Sequence, residues 1–374
     1  MCTFSIAIVS DSFVIMNLDS KRDLISPKYL CLLLGWLAAA LSIEFSLYRL
    51  VGSLSEDIPR LYGSYAFRSL FFILSSILLV AIVHVRSLTK QRQSGIPPRK
   101  VRWSKNQSLL ATGVLSTNFL FLTLLALNPE LFSMLALEGS FVEPLSALFF
   151  FLGAAVLGWQ AYRTVSRTFP HKLLILAGLG GLALVFFVIA MEEVSWFQRV
   201  LEFETPESFG SNLQGEFNLH NFSTKMFENA FYTGAFICLI GLPFLSATSA
   251  IPENIKGLEV FIGSSFTLCA SSLLVAYNYH YWNAFSTQIP YFLTLLMLSS
   301  LALMGSKSRL GIACLAFLGA LLATQAAFFL WGHSMNRLWD ATEYKEFFIA
   351  FGFLLYAFDV RRNLLQHGAQ HGAQ

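Results

Sequence analysis

Hydrophobic residues fill 55% of this 374-residue chain and charged residues only 13%, with a mean hydropathy of +0.61. That composition lies outside the range of soluble globular domains and of disordered segments, so most side chains here face lipid or each other. The basic surplus is a formal +3; with no folded recognition motif beside it, it points away from nucleic acid.

The chain opens on an apolar Phe4-Ser-Ile-Ala-Ile-Val9 followed by Asp11, without a basic leader, so a cleaved signal peptide is not expected; Met16 is an alternative start. Residues 1–28 are read as a cytoplasmic N-terminal segment. Apolar runs then recur near 29–48, 68–86, 108–127, 145–162, 173–191, 229–249, 258–277, 289–305, 310–331 and 347–360. Crossing a hydrocarbon core of about 30 Å takes about 20 helical residues. The runs are continuous rather than alternating, which excludes a membrane barrel, and a helix satisfies its own backbone in lipid. The expected fold is therefore all-α: a polytopic transmembrane bundle of about ten helices over 29–360, with a cytoplasmic tail at 361–374. A polar outer loop, 192–228, joins the fifth helix to the sixth.

Sidedness follows from lysine and arginine in short loops. The loop 86–105 carries Arg86, Lys90, Arg92, Arg99, Lys100, Arg102 and Lys105 with no acid, and Arg163, Arg167, Lys172, Lys307, Arg309, Arg361 and Arg362 fall on the same side if the helices alternate. Both termini then face the cytoplasm of a plasma-membrane protein. His220, His280, His333 and most carboxylates face outward.

The carboxylates gather at helix ends. Glu138 and Glu143 precede the 145–162 run, Glu192 and Glu193 close the 173–191 run, and Asp340, Glu343 and Glu346 open the 347–360 run. At a helix start the macrodipole favours an anion by up to about 1 kcal/mol, so capping accounts for Glu143 and the triplet. At a helix end the same dipole opposes Glu192 and Glu193, which need a compensating partner. If the helix continues through Ser195-Trp-Phe-Gln-Arg-Val200, its period puts Glu192, Ser195, Trp196 and Arg199 on one arc and turns Glu193 aside. Glu192 is then a positioning group and Glu193 a candidate acid, base or ligand. A structural ion-pair knot is the plainer account of the same residues.

Farther along, Thr205-Pro206-Glu207 has the form of a helix start. Asn212, Gln214, Glu216, Asn218 and His220 share an even spacing that suits an extended strand with one polar face, and Asn221 follows. The stretches Glu192-Glu-Val-Ser-Trp-Phe-Gln-Arg199, Glu204-Thr-Pro-Glu207 and Asn212-Leu-Gln-Gly-Glu-Phe-Asn-Leu-His-Asn221 together resemble the signature of an uncharacterised family of bacterial multipass membrane proteins. Glu138 to Glu143, with Pro144-Leu-Ser-Ala after it, fits the same pattern. The resemblance implies one site drawn from residues 138–221 and the start of the last helix, in a bacterial inner membrane. It carries no reaction type.

No phosphate-binding glycine loop, G-x-S-x-G, H-E-x-x-H or C-x-x-C occurs, and the cysteines lie mostly in apolar runs where packing is their role. What remains is carboxylate chemistry: general acid and base, or metal ligation. The candidate catalytic residues are Glu193, Glu192, His220 and Glu143. Substrate-binding or positioning candidates are Glu138, Trp196, Arg199, Asn218, Asn221, Glu343 and Glu346. Glu193, His220, His280 and His333 are the candidate metal ligands; imidazoles among them favour zinc, carboxylates alone magnesium or manganese.

These groups suit an enzyme acting at the outer face on a membrane lipid or lipid-linked substrate. In architecture alone the chain resembles polyprenyl-phosphate-sugar glycosyltransferases. It lacks the visible ligand arrangement of the alkaline ceramidases. The alternatives are a structural or assembly subunit that binds a protein partner through its acidic face, a cation sensor, and a transporter. The transporter is weakened because Glu44 is nearly the only acid inside an apolar run.

Overall fold

The computed structural model describes residues 58–59, 63–94, 103–167, 170–202, 204–205, 217–218, 224–251, 257–282, 284–305 and 308–372. Among them all regular structure is helical: α1 (Gly63–Ser94), α2 (Lys105–Leu127), α3 (Pro129–Leu135), α4 (Val142–Val165), α5 (Lys172–Glu193), α6 (Gln198–Leu201), α7 (Thr224–Phe236), α8 (Leu242–Ala247), α9 (Ser265–Ser271), α10 (Phe285–Met304), α11 (Arg309–Trp331) and α12 (Asp340–Gly372). Among the described residues seven segments are long and apolar enough to cross a membrane. The chain is a multi-pass helical membrane protein. The 29–48 run lies outside the described residues, and so does the expected strand over 212–221 apart from Phe217 and Asn218.

Close helix approach depends on small residues, as it does wherever lipid rather than water surrounds a bundle. At Gly153 of α4 a Cβ would meet the Phe186 ring of α5 at 2.9 Å, and Phe186 in turn packs edge-on to Phe353 of α12 with centroids 5.1 Å apart. Gly178 of α5 admits the Phe261 ring in the same way. So α4, α5 and α12 form one tightly packed group.

The 258–277 run is not the continuous helix expected from its hydropathy. Leu258–Phe261 is a 3₁₀ turn, Ile262 and Ser264 are extended (ψ 122° and 166°), α9 follows, and Ser272–Val275 is again 3₁₀. Yet 72% of Leu258–Val275 is buried inside the bundle, against 22% of Lys172–Glu193, so this broken segment is the centre and α5 the periphery. Unpaired backbone groups cannot face lipid, and α12 satisfies them. Asp359 accepts from Ser264 N (2.7 Å) and Thr267 Oγ1 (2.5 Å), Tyr356 donates to Phe261 O (2.8 Å), and Asn363 donates to Val260 O (3.2 Å) and Ile262 O (2.9 Å). Hydropathy averages over a window and is blind to such a break. The 229–249 run is likewise interrupted, by a π-turn over Ile237–Gly241.

Candidate functional site

One end of the bundle carries the start of α4, the end of α5, the start of α7 and the start of α12. A set of hydrogen bonds fixes this end. Tyr344 donates to Phe132 O (2.7 Å), Asn336 N donates to Ser133 Oγ (2.9 Å), and Arg337 donates to Ala136 O (2.8 Å), so α3 holds the approach to α12. Asp340, fully buried, accepts from Arg337 Nε (2.7 Å) and Arg337 N (3.1 Å). It is a capping ion pair, which separates it from Glu343 and Glu346.

The other acids are electrostatically coupled. The Glu193 carboxylate interacts electrostatically with those of Glu346, Glu343, Glu143 and Glu192, in that order of strength. Carboxylates from three separate helices thus lie within electrostatic reach of Glu193. Glu343, in the first turn of α12 before its apolar run, has its carboxyl held well above the usual range, chiefly by burial and then by Glu346 and Glu143; Arg337 opposes the rise and Glu138 adds to it. Glu143 accepts from the Gly139 amide and so closes the turn that precedes α4; Gly139 supplies the positive φ (71°) that this turn needs.

The helix does not run through Ser195-Trp-Phe as the sequence phase assumed. It stops at Glu193, and Ser195, Trp196 and Phe197 take left-handed φ values of 46°, 54° and 61°. Consecutive left-handed residues other than glycine cost about 1 kcal/mol or more each, so surrounding contacts must hold them. Trp196 Nε1 donates to Glu192 Oε1 (2.7 Å), Ser195 is buried with its Oγ accepting from Asn218 Nδ2 (3.5 Å), and Phe197 stacks on Phe151 at 6.3 Å. Gln198 ties the far segment in, accepting from Phe217 N (2.6 Å) and donating to Thr205 Oγ1 (2.7 Å). Glu192 and Glu193 therefore part because the chain reverses after them, not because one helical face continues. Backbone strain beside a carboxylate cluster is a recurrent property of functional sites.

Two basic and phenolic groups complete the arrangement, and neither was singled out in the sequence. Tyr232 donates to Glu346 Oε1 (2.6 Å). Lys345 is buried, donates to Asn278 Oδ1 (2.9 Å) and sits 4.0 Å from the Tyr232 ring centroid. Burial lowers its amine to about 8, against the opposing pull of Glu228 and Glu346. Asn278 itself follows the broken segment and donates to Val275 O (2.5 Å). The only sequence signal for Lys345 was a basic residue between Glu343 and Glu346 at the head of an apolar run, a setting equally suited to a surface charge.

The candidate ligands behave differently from the carboxylates. His280 lies against Tyr281 with ring centroids 3.9 Å apart, and His333 is exposed on the turn after α11. Among the described residues no group of three or more His, Cys, Asp and Glu side chains is placed to hold a metal ion. His220, Asn221 and the Arg199 side chain lie outside the described residues.

No known protein family, curated protein or solved structure matches this chain. The functional reading rests on the geometry.

Proposed function

We propose that this protein is an integral-membrane enzyme whose outer-face carboxylates perform acid–base chemistry on a lipid or lipid-linked substrate. The observation that carries the reading is the meeting of Glu143, Glu192, Glu193, Glu343 and Glu346, from three helices, around Glu193. Carboxylates coupled in this way raise one another's proton affinity, and where those affinities split apart one can donate while another accepts. Glu343, whose carboxyl burial holds well above the usual range, is the donor on this reading. Glu192, held by the Trp196 N–H, orients the pair, and Glu193 exchanges the proton with substrate. Lys345 and Tyr232 set the charge on Glu346.

A second reading, a proton- or cation-coupled transporter, has one observation in its favour. The central Leu258–Val275 segment is broken, and discontinuous helices mark transport sites.

One preparation separates these readings: full-length protein in liposomes with a pH-sensitive dye inside, incubated with a panel of phospholipids, glycolipids and polyprenyl-linked sugars. Mass spectrometry showing a converted lipid, lost in Glu193→Gln, supports the enzyme. Dye response to an imposed pH gradient without any product supports the transporter. Neither signal from folded protein overturns both and leaves the acidic face as an assembly surface.

A further inference from the structure

At the opposite end of the bundle, the last turns of α4 form an open groove of about 620 Å³ lined by Trp159, Tyr162, Arg163, Val165, Ser166 and Arg167. We infer that this groove is a binding site for the phosphate headgroup of an anionic phospholipid. By the sequence's basic asymmetry it lies at the cytoplasmic leaflet, where anionic lipid attracts clustered arginine and lysine.

Three features carry the inference. First, the aromatics are placed for an interface rather than a core: Trp159 is 57% exposed and Tyr162 71%, with ring centroids 5.7 Å apart. Large aromatic rings left open at a span's end sit at the headgroup level, with the apolar body toward acyl chains and the polar tip toward water. Second, Arg163 and Arg167 are four residues apart. Arg163 lies in the last turn of α4 and Arg167 just beyond its cap, and both line the same groove, so two guanidinium forks, which match phosphate geometry better than lysine does, border one pocket. Arg167 follows the cap residue Ser166, and its N–H returns to Thr164 O (3.1 Å), which fixes the turn that aims it.

Third, the cations are not consumed by the protein itself. A helix C-terminus repels an anion, and a capping cation is the ordinary remedy. Lys172 supplies it, donating to Val165 O at 2.5 Å. Among the described residues neither Arg163 nor Arg167 is ion-paired, whereas Arg337, just before α12, and Arg362, within it, hold Asp340 and Asp359 at 2.7 and 2.9 Å. Two arginines left without a carboxylate beside two open aromatic rings have the charge and shape of a headgroup site.

The test uses the purified full-length protein in detergent, titrated with phosphatidylglycerol or with phosphatidylcholine of identical acyl chains and read by native mass spectrometry. Wild-type protein should bind phosphatidylglycerol preferentially. The preference should fall about fivefold for each arginine removed and about thirtyfold in Arg163→Gln/Arg167→Gln, at about one surface-charge contribution apiece. Lys105→Gln/Arg309→Gln, which removes two exposed charges at the same end that do not line the groove, should change it less than about twofold, because the contribution of a surface charge falls off within a Debye length. Arg163→Lys/Arg167→Lys should retain part of it, and Trp159→Ala should weaken both lipids. Equal losses in the two double glutamine variants would reduce the effect to diffuse charge and overturn the site. So would displacement of the lipid by millimolar inorganic phosphate, which would make free phosphate the ligand.

Discussion

Replacing Lys345 with methionine tests the site without knowledge of the substrate. The side chain keeps its length and apolar stem, while the ammonium, its bond to Asn278 and its contact with the Tyr232 ring are lost. In the folded protein the amine titrates at about 8 and in the unfolded chain near 10.5. Below pH 8 both states are protonated, and the buried charge burdens the fold in full. Between about 8 and 10.5 the unfolded chain still binds a proton that the folded protein has released, so stability rises with pH across that window. The change over the whole window is about 3 kcal/mol at 1.36 kcal/mol per pH unit. At roughly 2 °C per kcal/mol, the midpoint of wild type minus that of Lys345→Met should climb by about 5 °C between pH 7.5 and pH 10.5. Intrinsic tryptophan fluorescence during heating in detergent reads this directly, and taking the difference cancels titrations common to both proteins. A flat difference would falsify the burial of a charged Lys345, and a falling one would mean that its carboxylate neighbours raise the amine rather than burial lowering it.

Other perturbations follow from named contacts. Glu193→Gln removes one of five interacting carboxylates and should leave the thermal midpoint unchanged or higher at pH 7; Glu192→Leu removes the acceptor of the Trp196 N–H and should destabilise by about 1–3 kcal/mol. Equal losses from the two would mean that the pair acts as one structural unit. Gly352→Ala places a Cβ 2.5 Å from Ser271 Oγ and 2.9 Å from Leu239 Cδ1 and should destabilise by about 1–3 kcal/mol, whereas Gly319→Ala, which meets nothing within 4 Å, should be near neutral. A topology reporter after Gly95 should read as cytoplasmic and one near Gly210 as external, and reversal of either would invert the sidedness of both proposed sites.

Hydropathy made the helical class and most span positions legible, because burial in lipid demands long apolar runs whatever the tertiary contacts. It could not show that 258–275 is broken. The features responsible, Asp359, Tyr356 and Asn363, lie about a hundred residues away on α12 and act through bonds to the backbone. The acid clusters were visible as residues, and their helix-end positions held. The helical phase after Glu193 failed because Ser195, Trp196 and Phe197 adopt left-handed backbone that no local propensity favours. Tyr232 and Lys345 escaped notice because a lone tyrosine or lysine in an apolar helix becomes meaningful only when a partner from another helix is in view.

The charge at the two ends constrains what the outer site can accept. Around Glu193 the near groups are Glu346, Glu343, Glu143 and Glu192, with Lys345 the nearby buried base and Arg337 already engaged by Asp340. At an effective dielectric of about 20, two like charges 4 Å apart repel by about 4 kcal/mol. A phosphate entering this cluster would meet several such terms and few donors. On the proposed enzymatic reading, the part of a substrate that reaches Glu193 would be neutral or cationic: a sugar hydroxyl, an amide or an amine, with any phosphate held farther out toward water. A substrate whose reacting atom is itself a phosphoryl group would need a divalent cation to screen the carboxylates. An activity that is abolished by a chelator and restored by magnesium would accordingly select that class, and a chelator-insensitive activity would select the neutral or amine class, with Glu193 and Glu343 exchanging the proton directly.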